Sequence, residues 1–147
     1  MSRSIDDDAL SPYAKYETFK KAFETVKFFS ESGNMIGAFV LSFSILEDRL
    51  CASLVVCSRA LSYDINADKV SRMPFGQRID HLLAMKAIEN ELHHKLQNAA
   101  YLRNDLTHKM MWRLDVFHAN HIKTFRGLIN ELQKVQRRHE KLIKNSE

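Results

Sequence analysis

Glycine and proline are scarce in this chain, four and two among 147 residues. A β-sandwich or barrel needs many tight turns, and those turns draw heavily on both residues, so an all-β architecture is disfavoured. Cysteine is as scarce, with only Cys51 and Cys57. They sit six positions apart in a helical stretch, and six residues of helix rise about 9 Å, beyond disulfide reach. Neither belongs to a CxxC pair of the kind that holds zinc, so both are expected to be buried, reduced thiols. Long hydrophobic runs are missing too. The longest, MIGAFVLSFSIL, stops at Glu47-Asp48-Arg49, well short of the roughly 20 apolar residues that cross a bilayer. The N-terminal MSRSIDDDAL lacks an apolar signal core, and its three aspartates do not suit a transit peptide. These absences point to a cytoplasmic protein with no membrane association. There is no Gly-rich phosphate loop and no nucleophile elbow, which removes support for P-loop nucleotide hydrolysis and acyl transfer.

What is abundant is helix-forming. Hydrophobic residues make up 45% and charged residues 27%, and Leu, Ala, Lys, Glu and Arg are plentiful. The expectation is a single all-α domain over residues 1–147, a bundle of about five helices, with residues 1–11 as a flexible N-terminal tail. Ser11-Pro12 reads as an N-cap followed by a first helical proline, and Tyr16, Phe19, Phe23, Val26 and Phe29 recur at helical spacing. Ser32-Gly33-Asn34 interrupts the pattern. A second helix, residues 35–61, is apolar on most sides through Leu46, so it is central or faces another chain. Residues 62–76 are expected to be the one substantial loop. A third helix spans residues 77–88, with Ile79, Leu82, Leu83 and Met85 inward. A fourth starts near Glu89, with Leu92, Leu96, Ala99, Ala100 and Leu102. The last covers residues 116–143 with a stripe of Phe117, Phe125, Leu128, Leu132 and Val135.

The net charge of +4 is unevenly placed. Residues 1–112 carry 14 Lys and Arg against 14 Asp and Glu, whereas residues 113–147 carry 8 against 4. A solvated helix face explains this excess by default, and a basic flank that attracts nucleic acid is the functional alternative. Two histidine groups call for a comparable weighing. Glu91-x-x-His94 has the carboxylate–histidine spacing of di-iron bundles, but no second such pair exists, so a solvated, charged first turn is the better reading. His118 and His121, one turn apart, lack a convincing third ligand and read as half-buried helix histidines.

The stretch YLRNDLTH, residues 101–108, is more specific. Arg103, Asn104 and His108 fall late in a helix, and Asn104 and His108 share a face at i and i+4. An Arg followed after four to six residues by His, with a polar residue after the Arg, resembles the signature of HEPN domains. The helical bundle, the long second helix with its acidic Glu47, and the motif's place two-thirds along the chain fit that resemblance, which covers residues 12–143. Arg-Asn-x-x-x-His alone arises by chance in on the order of one chain in a hundred. The resemblance implies a metal-independent endoribonuclease without cofactor, a homodimer whose two motifs meet at the interface, with a toxin or phage-defence role. It places Arg103, Asn104 and His108 in the site, with Glu47 and Asp105 supporting it. Lys109, Arg137 and Arg138 are candidate contacts to RNA. Many toxin members continue with Tyr two residues after the His. This chain has Met110 there, which leaves the subfamily and any antitoxin or regulatory partner open.

The chemistry can also be argued from the residues. RNA carries a 2′-hydroxyl that can attack its own phosphate, so an enzyme needs only a proton carrier and a cation for the gathering charge. His108 suits the first task and Arg103 the second, while Asn104 can orient the imidazole or bind a phosphate oxygen. Five helical steps turn about 140°, so a straight helix cannot easily aim Arg103 and His108 at one point. Either the helix ends before His108 or a second subunit completes the site. The competing readings are a catalytically inactive HEPN-like dimer that binds nucleic acid or a protein partner, and a plain helix C-terminus where His108 and Lys109 complement the dipole.

Overall fold

The computed structural model describes residues 12–110 and 116–146, and every regular element among them is helical. The expected N-terminal tail, the Ser11 cap and the Tyr16 side chain lie outside what is described. The helices are α1 (Pro12–Glu31), α2 (Met35–Ala60), α3 (Ala67–Arg72), α4 (Phe75–Ala84), α5 (Asn90–Lys109) and α6 (Ala119–Asn145). None of them is long and apolar enough to cross a membrane.

The corner between α1 and α2 follows from three consecutive residues. Gly33 takes φ +83°, the left-handed conformation that closes a helix C-terminus at little cost. The Asn34 amide then donates to the Phe29 carbonyl at 2.7 Å. Asn34 also caps α2, its Oδ1 accepting from the Gly37 N–H at 2.9 Å. A side chain at Gly37 would meet Asn34 Nδ2 at 2.8 Å and Phe29 at 3.0 Å. Glycine at this position therefore lets the two helices turn tightly.

As its sequence implies, α2 is the centre of the bundle. Leu46, Leu50, Leu54 and Cys57 are fully buried along it, and each buried leucine contributes roughly 1.5–3 kcal/mol. The main packing partner is α6, which runs parallel to it. Phe125 meets Phe39 and Phe43 with ring centroids at 5.1 and 5.4 Å, and further on Ser53 Oγ donates to the Leu132 carbonyl at 3.3 Å. All five residues expected on the α6 stripe are buried. On its other sides α2 packs against α1, α3 and α4, and α5 packs mainly on α4.

Several expectations need correction. The segment 62–76 is not one loop but holds α3, capped by Asn66 Oδ1 accepting from the Lys69 N–H at 2.8 Å. It is anchored by the fully buried Val70. Helix α4 starts at Phe75 and stops at Ala84, four residues before the expected end at Ile88. Lys86 turns left-handed at φ 60°, and the Ala87 amide returns to the Leu82 carbonyl at 2.9 Å. Ala87 and Ile88 are buried, but in the turn. Cys51 is only half-buried, whereas Cys57 is buried as expected. The first turn of α5 is not simply solvated: His93 Nε2 contacts Asp80 Oδ1 at 2.8 Å with the imidazole 17% exposed, tying α5 to α4. His118 precedes α6 as its N-cap and is exposed, so it is not a half-buried helix residue, although His121 is half-buried.

Candidate functional site around Arg103

The inward stripe of α5 reads Leu92, Leu96, Ala99, Leu102 and Leu106, with Met110 just past its end, and Arg103 stands exposed at the edge of that stripe beside Leu102. The fold accommodates it at a cleft between α5 and α2. Its guanidinium carbon lies 5.2 Å from the centre of the Phe43 ring, a cation–π placement that holds the head group over α2. The cleft, about 170 Å³, is lined by Val40, Phe43, Ser44, Glu47, Arg103 and Thr107, with Phe117 from the start of α6 closing one side. Glu47, half-buried, therefore does reach the neighbourhood of Arg103. Among the described residues no ion pair joins them, and Arg103 forms none with any other carboxylate.

Asn104 and His108 do not face this cleft. Asn104 Oδ1 accepts a hydrogen bond from Arg103 Nη1 at 3.3 Å, so the amide orients the guanidinium rather than the imidazole. Thr107 Oγ1 donates to the Arg103 carbonyl at 2.7 Å. His108 is exposed and has no hydrogen-bond partner among the described residues. Because α5 stays helical through Lys109, the two side chains leave the axis about 140° apart. One chain brings Arg103 and Glu47 to the same cleft, sets Asn104 beside Arg103, and leaves His108 outside the cleft.

The remaining candidates separate. Asp105 pairs with Lys109 Nζ at 2.9 Å, both more than half exposed, an arrangement worth little to stability and remote from Phe43. Arg137 and Arg138, both exposed, line a groove of about 700 Å³ with Lys86 and Lys134, interspersed with Glu89, Glu91 and Glu131. Eighteen residues of α6 separate Arg137 from the first turn, a rise of about 27 Å, so this basic groove sits at the far end of the bundle from Phe117. Arg138 also acts on Cys57, whose thiol is pushed by burial up to about 12 against the opposing pull of that arginine. Cys57 is consequently an inert core residue.

Two features escaped the sequence reading. Phe43, the platform under Arg103, is indistinguishable in sequence from the other core residues of α2. Tyr101 is 62% exposed and precedes His108 by two turns on the same face. An i, i+7 relation within YLRNDLTH was the available signal. A wider groove of about 740 Å³ lies where α1, α2 and α6 meet, but its arginines are occupied. Arg49 stacks on Phe19 at 3.9 Å and pairs with Asp48 at 2.8 Å, while Arg126 lies over Phe23 at 4.6 Å. Among the described residues no three His, Cys, Asp or Glu side chains converge in a metal-holding group.

No protein-family model matches the chain, and no curated protein or solved structure matches it either.

Proposed function

We propose that this chain is a cytoplasmic, HEPN-type endoribonuclease that cleaves RNA without a metal ion, acting as a homodimer with a site shared between two copies. The observation that carries the reading is Arg103. A permanently charged fork stands exposed at the edge of an apolar stripe, against Phe43 and Asn104, without a carboxylate partner among the described residues. Such a group is suited to hold phosphate oxygens through two parallel hydrogen bonds. The ribose 2′-oxygen attacks phosphorus as His108 takes its proton, and the bond to the 5′-oxygen breaks. That oxygen takes a proton from water as it leaves, giving a 2′,3′-cyclic phosphate and a 5′-hydroxyl end. Arg103 offsets the charge gathering on the phosphoryl oxygens. The divergence of Arg103 and His108 supports pairing of Arg103 in one copy with His108 in another. Val40, more than half exposed at the cleft, and exposed Tyr101 supply apolar contact surface for it. An enzyme of this kind has a toxin or defence role and is restrained in the cell by an antitoxin or regulatory protein.

The test is cleavage of a labelled RNA in excess EDTA by wild type and by His108→Ala. Wild type should cut and leave the cyclic phosphate, and a substrate with deoxyribose at the scissile position should be inert. Equal cleavage by His108→Ala, or activity lost on chelation and restored by magnesium, refutes the scheme. RNA binding without cleavage by wild type would move the chain to the non-catalytic reading.

A further inference from the structure

The start of α6 is capped by histidines. His121 Nδ1 accepts from the backbone N–H of His118 at 3.2 Å, while the His121 N–H donates to the His118 carbonyl at 3.0 Å with the His118 ring set beside it in a capping-box arrangement. This is the reciprocal geometry that Ser or Thr and Glu usually supply at a helix N-terminus. A hydroxyl accepts at any pH, and a carboxylate does so down to its own acidic range. A neutral imidazole has one acceptor nitrogen and loses it on protonation. The two rings lie 5.5 Å apart, and His121 sits in the first turn, where the partial positive charge of the helix dipole disfavours a cation. Doubly protonated, the pair loses the His121 acceptor and gains mutual repulsion.

The residue just before this cap closes the Arg103 cleft. Phe117 is 5% exposed, its ring 4.8 Å from Phe39 in an edge-to-face contact. His121 itself packs edgewise on Phe39 at 6.1 Å. The facing stretch of α2, residues 35–46, contains no titratable side chain. On α6 the nearest charged residues in sequence are Lys123 and Arg126, both cations. No carboxylate among the described residues is present to stabilise a protonated pair, and Glu47 reaches the cleft from the next turn of α2 without bonding either ring.

We propose that the His118–His121 cap is a pH-sensitive latch: acidification releases the first turn of α6 and with it Phe117, opening one side of the Arg103 cleft. The direction agrees with the environment of His121, whose pKa is lowered from 6.5 by burial first and by His118 second. An unfolded imidazole therefore takes its proton before the folded one does. The stability that the closed cap provides is full above about pH 6.5 and declines as pH falls from there toward the lower folded-state value. The latch is a property of the fold and does not depend on the ribonuclease reading.

The experiment is amide hydrogen exchange by NMR on the full chain at pH 7.5 and 5.5, corrected for intrinsic rates. Losing the cap should speed opening at the amides of residues 121–123, the first that bond within the helix, by up to about tenfold and sharpen or shift the Phe117 ring signals, with α2 unchanged. The double variant His118→Asn with His121→Gln keeps acceptors that do not titrate and should hold the first turn closed at both pH values. Wild-type exchange that is flat with pH, or an identical profile in the double variant, overturns the latch. If the double variant does not fold, the wild-type imidazole resonances decide. Titration of His118 and His121 coinciding with the opening supports the proposal, and opening at a different pH refutes it.

Discussion

Arg103→Ala should separate site from fold. Arg103 is exposed, and its one described tertiary contact is the approach to the Phe43 ring at 5.2 Å. An exposed cation–π contact is worth about 0.5–1 kcal/mol, and alanine recovers a little of that through its helix propensity. The bond to Asn104, at 3.3 Å between neighbours on an exposed surface, adds little. Stability should therefore fall by less than about 1 kcal/mol, measured by urea unfolding with the slope unchanged. Chemistry should suffer far more. Removing a donor aimed at developing charge typically costs about 10²–10³ in rate, or roughly 3–4 kcal/mol in the transition state. Single-turnover cleavage of a labelled RNA reads this directly. Arg103→Lys keeps the charge but not the fork and should fall between the two. A variant that cuts within about tenfold of wild type refutes a phosphate-holding role. One that loses more than about 2 kcal/mol of stability shows that Arg103 serves packing, because no exposed pair accounts for so large a loss.

Three further outcomes are expected. Reversal of Arg137 and Arg138 to Glu should weaken RNA binding and flatten the dependence of affinity on salt by roughly two units of slope, while bound substrate is cut at an unchanged rate. An unaltered slope would return both residues to a solvated face. Phe125→Ala empties a fully buried site between Phe39 and Phe43 and should cost about 3–5 kcal/mol on urea unfolding; a loss below about 1.5 kcal/mol would mean that the α2–α6 core is not packed as described. Mixing Arg103→Ala with His108→Ala subunits, each inactive alone, should restore part of the cleavage once differently tagged copies co-purify. Heterodimers that form and stay inactive would separate the two residues' roles from a shared site.

The parts of the fold legible in the sequence are those where one helix buries one continuous stripe. Phe125, Leu128, Leu132 and Val135 announced α6, with Phe117 buried just ahead of its start, and the all-round apolar run from Met35 announced a central α2. Helix α3 was illegible because a single residue, Val70, carries its burial, which is too little for periodicity to register. The end of α4 was missed because Lys86, not Gly or Asn, adopts the left-handed turn, and the apolar Ala87 and Ile88 beyond it mimic one more helical turn. For the site, spacing alone placed Arg103 and His108 on diverging faces. It could not supply Phe43 or the link between Asp80 and His93, since contacts between distant segments leave no local pattern. The histidine cap was hidden by composition, because His118 and His121 resemble ordinary helix residues until the helix start is known.

The geometry of α5 bears on how many chains make one site. A single chain could unite Arg103 and His108 only by unwinding the last turn of the helix. That would break the bond from the Met110 amide to the Leu106 carbonyl at 2.9 Å and draw Leu106, now 5% exposed, out of the core. Exposing that side chain alone costs roughly 1.5–3 kcal/mol, and the Thr107 hydroxyl would lose its acceptor on Arg103 as well. Association of two copies leaves every one of these contacts intact. On the proposed reading it would cover Val40 and Tyr101, both more than half exposed, and a two-fold axis would set the outer face of one α5 against the cleft of the other, since a residue that meets a partner group in one direction meets it in both. If Arg103 and His108 act on one phosphate as proposed, the intact helix favours two chains over one distorted chain, and the distance from an Arg103 to the nearest imidazole would then be a property of the interface rather than of the fold.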